Sequence, residues 1–215
     1  LGFLILIVLV KMKIMNKLTP ILDAGHGGMI NGIYQTPGKR SPDWPKGVLY
    51  EGAFNRWVVN RLMYKMDRYN LPYYHVSQEL KDTSLFARVE RANTIHGINK
   101  ETYFLSFHAN AGGGTGHEQF TSKGETRSDR IATKLLADIE TAFPDMRMRY
   151  DHSDGDPDKE ANFYVLKNTA MPAVLLEAAF MDNRNDYDLL WSEKFLEDYV
   201  QTVFCSINDI YKGIY

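Results

Sequence analysis

The chain is short of cysteine, of net charge and of any long apolar run. Its single cysteine, Cys205, excludes an intrachain disulfide framework. The helical pattern around it predicts a buried, apolar thiol. Formal net charge is −2, from 25 basic and 27 acidic residues, so there is no basic stripe of the kind that nucleic-acid binders carry. No nucleic-acid partner is expected. The strongest apolar run, Leu1–Val10, falls well short of the roughly 20 residues that a membrane-spanning helix needs. It also departs from an export signal, because Lys11 and Lys13 follow the run and no A-x-A-like site comes before the first strand. Residues 1–14 are therefore expected outside the folded domain, and a chain starting at Met15 is expected to fold and stay active. Internal repeats and low-complexity tracts are missing too.

What is present is core material. Hydrophobic residues make up 44% of the chain, with 13 Tyr, 11 Phe and 3 Trp. At roughly 100–200 residues per domain, residues 15–215 predict one domain with a single core, and a monomer is expected. Strand and helix patterns alternate along it, which predicts an α/β fold with a central, mostly parallel or mixed sheet flanked by helices. Strands are expected at Leu18–Asp23, Tyr73–Ser77, Tyr103–His108, His117–Thr121, Phe163–Leu166 and Ala173–Glu177. Helices are expected from Glu51 to Asn70, from an Asp82 cap to Ile98 with Leu85, Val89 and Ala92 inward, from Ser128 to Phe143, and from Ser192 to Lys212. Residues 29–50, punctuated by Pro37, Pro42 and Pro45, read as a long loop. Residues 145–160 read as a polar one.

Ionisable residues mark four element junctions. His26 and His108 follow or end strands, Glu177 ends another, and Glu51 opens the first long helix. Ligands of open α/β sheets bind outside the carboxyl ends of the strands. Two histidines and a glutamate there match a known catalytic zinc set that leaves a fourth position for water. A further carboxylate is then available to move the proton from water to the leaving amine. Spacing alone leaves two readings open, a metal site and a set of structural histidines.

Four ordered segments resemble the zinc N-acetylmuramoyl-L-alanine amidases of amidase family 3, found in bacterial autolysins and phage endolysins. They are Ile21-Leu-Asp-Ala-Gly-His-Gly-Gly28, Tyr50-Glu-Gly-Ala-Phe-Asn55, Ser106-Phe-His-Ala-Asn110 and Pro172-Ala-Val-Leu-Leu-Glu-Ala-Ala-Phe-Met-Asp-Asn183. Leu85-Phe-Ala-Arg-Val-Glu-Arg-Ala-Asn93 is similar to a fifth, a helix with Arg before Ala-Asn. The resemblance implies one Zn²⁺ per chain, held by His26, Glu51 and His108, with Glu177 as the catalytic carboxylate. It implies peptidoglycan as substrate and action on the cell wall. That site of action is extracellular or periplasmic if Leu1–Val10 serves as a signal, and otherwise reached by release at lysis. Ala24 stands where the family usually has Pro, and Ala178-Ala179 precedes Phe180 where a Gly is common. Neither change touches a ligand.

The remaining candidates have plainer readings. His75, His96, His117 and His152 lie outside the motifs and are expected to be structural. Asp151–Asp158 alternates acids but fails the EF-hand template, with Pro157 intruding and Glu160 too early; a solvated loop is expected. Arg88 or Arg91 could orient substrate, with a helix-surface or strand-end salt bridge as the default. Asn110 and Asn183 are placed to hold turns. Trp44 either stacks on a sugar or packs on the domain. Two rival functions remain. A zinc peptidase or deacetylase would share the chemistry, although HExxH and H-x-x-E are both missing. A degenerate wall-binding module would have lost at least one of the four key residues, and all four are present.

Overall fold

The computed structural model describes residues 17–215. The expectations for residues 1–14 and for a Met15 start lie outside them. Six strands form one sheet: β1 (Thr19–Ala24), β4 (Tyr74–His75), β5 (Thr102–Asn110), β6 (Glu118–Thr121), β7 (Lys159–Glu160) and β8 (Ala173–Phe180). Their order is β4-β1-β5-β8-β6-β7. The first four are parallel, β6 runs antiparallel to β8, and β7 is parallel to β6. This is the mixed α/β sheet that the alternating pattern predicts.

The central strands are apolar on both faces because helices cover both. Ile21, Phe104 and Leu175 pack against Val89, Ala92, Val165 and Leu166 on one side. Those partners come from α2 (Leu85–Ile98) and α4 (Tyr164–Asn168). The strand neighbours Leu22, Leu105, Val174 and Leu176 point to the larger core on the other side, as the two-residue repeat of a strand requires. That core is completed by α1 (Glu51–Arg68), α3 (Arg127–Ala142) and α6 (Glu193–Tyr211). Among the described residues, no helix is long and apolar enough to cross a membrane.

Several local expectations need correction. Phe163–Leu166 is not a strand: Tyr164–Asn168 is helical. Val165 and Leu166 are buried in the same cluster while Phe163 and Tyr164 are exposed, a partition that one helical turn permits and an alternating strand does not. The cap of α2 is Ser84, whose Oγ accepts from the Ala87 amide at 3.2 Å, and Asp82 lies outside the helix. Leu85 is exposed, at 54%, because the inner face begins at Arg88 and Val89. Cys205 is exposed as well and accepts from Gln201 Nε2 at 3.2 Å; it falls on the outer face of an otherwise well-buried helix. The 29–50 segment is not all loop, since β2 (Met29–Ile30) and β3 (Ile33–Tyr34) pair as a small hairpin. A short helix, α5 (Arg184–Leu190), follows β8 and has no counterpart in the sequence reading.

Candidate metal centre

Three segments converge at the carboxyl ends of β1, β5 and β8. His108 and Glu177 are register partners across β5 and β8. Gly25, just past β1, hydrogen-bonds to Phe107 O at 3.0 Å. A Cβ on Gly25 would overlap the His108 ring, and one on Gly52 would overlap the Gly27 carbonyl oxygen. Glycine at both positions therefore lets the turn after β1, the end of β5 and the first turn of α1 approach closely. His26 has a left-handed φ of 64°, which is uncommon for a residue with a side chain. Its carbonyl is clamped by two guanidiniums, Arg56 Nη1 at 2.8 Å and Arg88 Nη2 at 3.2 Å.

The result is one carboxylate oxygen shared by two imidazoles. Glu51 Oε1 lies 3.0 Å from His26 Nε2 and 2.9 Å from His108 Nδ1. The two rings meet edge to face, 5.1 Å between centres. The three donor atoms all lie within 4.8 Å of one another. Nitrogen lone pairs cannot face a carboxylate oxygen at these distances unless a proton or a cation lies between them.

A buried chain of hydrogen bonds fixes His108 from behind. Ser106 Oγ donates to Asp23 Oδ2 at 2.7 Å and lies 3.1 Å from His108 Nε2. With its one O–H directed at Asp23, the Ser106 hydroxyl can only accept from His108 Nε2–H, and Nδ1 is the nitrogen that faces Glu51. Asp23 in turn pairs with buried Arg88, which also donates to the carbonyls of Ala24 and Thr83. Burial works to raise the Asp23 pKa, but Arg88, Ser106 and His108 together hold it below the usual value.

The electrostatics of the carboxylates diverge. Burial opposes the charge on Glu51, yet the hydrogen bonds from His108 and His26 prevail and bring its pKa to about 2. Burial likewise opposes a charged His108, but Glu51, Glu177 and Asp23 hold its pKa above the ordinary imidazole value. Glu177 goes the other way. Burial, reinforced by the Glu51 and Glu118 charges, pushes it up to about 8 against the pull of His108 and Lys39. Its Oε2 is buried without a hydrogen-bond partner.

All four residues singled out in the sequence line one cleft of about 630 Å³. Lys39 and Asn110 lie in it too, and Leu85, Phe163 and Tyr164 supply an apolar wall. Trp44 is not among the lining residues: it packs on Tyr187 at 4.7 Å, with Arg184 over its ring. His75, His96, His117 and His152 stand apart from the cluster. His96 Nδ1 meets Thr102 Oγ1 at 2.8 Å, and fully buried His117 sits against the Gln119 amide. Arg91 makes an exposed pair with Glu79, whereas Arg88 forms a strand-end pair that is buried. Asn183 caps α5, and Asn110 takes the Ala111 amide while donating to Glu118. The Asp23–Ser106–Arg88 chain escaped the sequence reading. Its one available signal was Ser106 two residues before His108, hence on the same side of the strand.

An open α/β sheet with a His-Glu-His cluster across its strand ends defines an α/β domain built around a candidate metal centre. The chain belongs to the N-acetylmuramoyl-L-alanine amidase family, whose model matches residues 21–209. It is 36% identical over 127 residues to the N-acetylmuramoyl-L-alanine amidase CwlM of Bacillus licheniformis, covering 58% of this chain and 47% of that protein. It is 30% identical over 182 residues to the endolysin of Bacillus phage SPP1, covering 82% of this chain and 60% of the relative. The chain thus spans about half the length of these curated relatives. The crystal structure of N-acetylmuramoyl-L-alanine amidase from Clostridium difficile 630 superposes with a TM-score of 0.71 at 21% identity, over 92% of this chain and 98% of the other. At that identity the likeness speaks for the fold.

Proposed function

We propose that the chain is a zinc-dependent N-acetylmuramoyl-L-alanine amidase that hydrolyses the amide between N-acetylmuramic acid and L-alanine in peptidoglycan. The observation that carries this reading is the convergence of His26 Nε2 and His108 Nδ1 on Glu51 Oε1 at 3.0 and 2.9 Å, beside half-buried Glu177. Two imidazoles and one carboxylate fit zinc, whose catalytic sites use three such ligands and keep one position open. The pairing of His108 with Ser106 supplies the outer hydrogen bond that metal-ligating histidines ordinarily make. His26, Glu51 and His108 would hold the ion. Zinc bound there supplies Lewis-acid polarisation of the scissile carbonyl and makes water a nucleophile at neutral pH.

The rest of the chemistry falls to the chain. Glu177 stands across the strand pair from His108, with an unpartnered oxygen. Its carboxylate accepts the proton of the attacking water and returns it to the departing amide nitrogen, which becomes the free amine of L-alanine. Burial raises the pKa of this carboxyl to about 8; a dication favours its ionised form. The apolar side chains of Leu85, Phe163 and Tyr164 offer the substrate a contact surface along one side of the cleft.

Digestion of purified peptidoglycan tests the reading. New free L-alanine amines, together with close to one zinc per chain by metal analysis, are the expected result. Release of other termini would assign a zinc peptidase or deacetylase instead. No new termini from a zinc-loaded chain would leave a wall-binding module.

A further inference from the structure

A second cluster lies on the far side of β6 and owes nothing to the cleft. Asp129 opens α3, while Asp156 and Asp158 come from the loop before β7. One carboxylate oxygen from each lies within 4.8 Å of the others. The solvated-loop reading of Asp151–Asp158 therefore fails at its end. Asp158 is 2% exposed. Its Oδ2 accepts from the Thr121 hydroxyl at 2.7 Å, and its Oδ1 is buried with no hydrogen-bond partner. Among the described residues, none of the three acids forms a salt bridge: the nearby Lys159 is engaged by Glu118.

Three carboxylates gathered without a base leave an unbalanced charge. An ionised carboxylate buried beside two others is costly unless something cationic sits among them. The capping box at α3 offers Asp129 only the Thr126 amide and hydroxyl, at 2.6 and 3.0 Å. Each carboxylate has about four lone-pair sites, so all three acids keep acceptor capacity after these bonds are counted. The geometry points to a hard divalent cation, calcium, bound by Asp129, Asp156 and Asp158. Oxygen-only ligands select hard cations and exclude the softer metals that imidazole attracts. Calcium accepts a loose shell of 6–8 oxygens with waters among them, and a loop carrying two of the acids supplies that kind of shell. Magnesium demands a tighter octahedron. Burial, helped by Asp156 and Asp129 and opposed by the Thr121 hydroxyl, pushes the Asp158 pKa up to about 8. The rival for a carboxyl so placed is a proton held between Asp158 and Asp156.

Bound calcium would tie the loop to β6 and to the start of α3. That loop leads through β7 to Phe163 and Tyr164 of the cleft wall. The role inferred is structural ordering.

Calcium chloride titrated into the zinc-loaded chain, followed by calorimetry and by melting temperature, tests the site. Magnesium chloride serves as comparison. The melting temperature is expected to climb with calcium by linkage and to respond less to magnesium. Asp158→Asn and Asp156→Asn are each expected to weaken calcium binding about tenfold or more, since affinity follows ligand charge, while zinc stoichiometry is kept. Asp156 is only half-buried, so its variant remains informative if Asp158→Asn fails to fold. A melting temperature indifferent to calcium up to about 10 mM, beyond the range of weak extracellular modules, would overturn the proposal. So would an unchanged calcium response in Asp156→Asn. A wild type that ignores calcium, with Asp158→Asn as stable or more so, identifies the shared proton instead.

Discussion

Two carboxylate clusters in this chain have opposite fates. Glu51 is buried between two imidazoles, and its pKa falls to about 2. Asp158 is buried among carboxylates, and its pKa climbs to about 8. Burial opposes the charge in both places, so the neighbours decide the sign. The first neighbourhood, with two nitrogens and one oxygen, suits zinc; the second, with oxygens alone, suits calcium. They also occupy different ends of the sheet. Glu118 pairs with Glu177 and Phe120 with Leu175, so Thr121 lies roughly 10 Å down the strands from Glu177, at about 3.3 Å per residue.

The harshest way to break the comparison is to remove an imidazole. His26→Ala or His108→Ala is expected to take zinc from about one per chain to near none and to abolish wall lysis. Glu51→Ala is expected to lower zinc affinity and turnover together. Metal analysis on the purified variants decides it: full zinc in both histidine variants would return the cluster to a hydrogen-bonded structural role.

Next in size is Glu177→Gln. The amide keeps the shape of the side chain but cannot take a proton, and general acid–base catalysis is worth about 10²–10⁴-fold. Activity is expected to fall by that order while zinc content and melting temperature hold. Near-full activity, or zinc loss as severe as in Glu51→Ala, would mean that the roles of the two glutamates are reversed or shared.

These two predictions rest on residues that the sequence already made visible. His26, Glu51, His108 and Glu177 sit in the segments that resemble amidase family 3, and that resemblance, rather than spacing, separated them from structural residues. The sheet and its long helices were legible from hydrophobic periodicity, which is strongest over long segments. Other features were not, and three of them show why. Val165 and Leu166 form an apolar pair too short for periodicity to separate strand from helix. Asp82, the expected cap, and Ser84, the observed one, are two residues apart, and only geometry shows which of them reaches an amide. The acidic cluster was hidden most deeply: Asp129 is distant in sequence from Asp156 and Asp158, so the 151–158 loop read alone looks solvated.

A smaller effect sharpens the comparison from behind the zinc cluster. Ser106→Ala removes the acceptor for His108 Nε2 and the donor to Asp23. Losses of outer hydrogen bonds to metal ligands typically cost about 10–100-fold in metal affinity. Zinc competition titrations are expected to show that loss, and Ser106→Thr, which keeps a hydroxyl, is expected to restore part of it. Affinity unchanged in Ser106→Ala would mean that ring packing alone orients His108.

The smallest expected effect is the coupling between the two clusters, and it is the most direct test of their independence. Substitutions more than about 7–10 Å apart with no shared partners usually add within about 0.3–0.5 kcal/mol. Asp156 does not line the cleft, and none of its ligating neighbours contacts His26, Glu51, His108 or Glu177 by hydrogen bond. In a cycle of Glu177→Gln, Asp156→Asn and the double variant, the activity loss is expected to come from the first alone. The change in calcium-dependent melting temperature is expected to come from the second alone. The one route for cross-talk is the chain itself, because the loop holding Asp156 runs on through β7 to Phe163 and Tyr164. Coupling through that route would appear as a raised KM in Asp156→Asn that calcium no longer corrects, with kcat unchanged, since the cleft wall meets substrate and not the reacting carbonyl. A fall in kcat in Asp156→Asn comparable to that in Glu177→Gln would show that the acidic cluster reaches the chemistry, and the separation drawn from the strand register would be wrong.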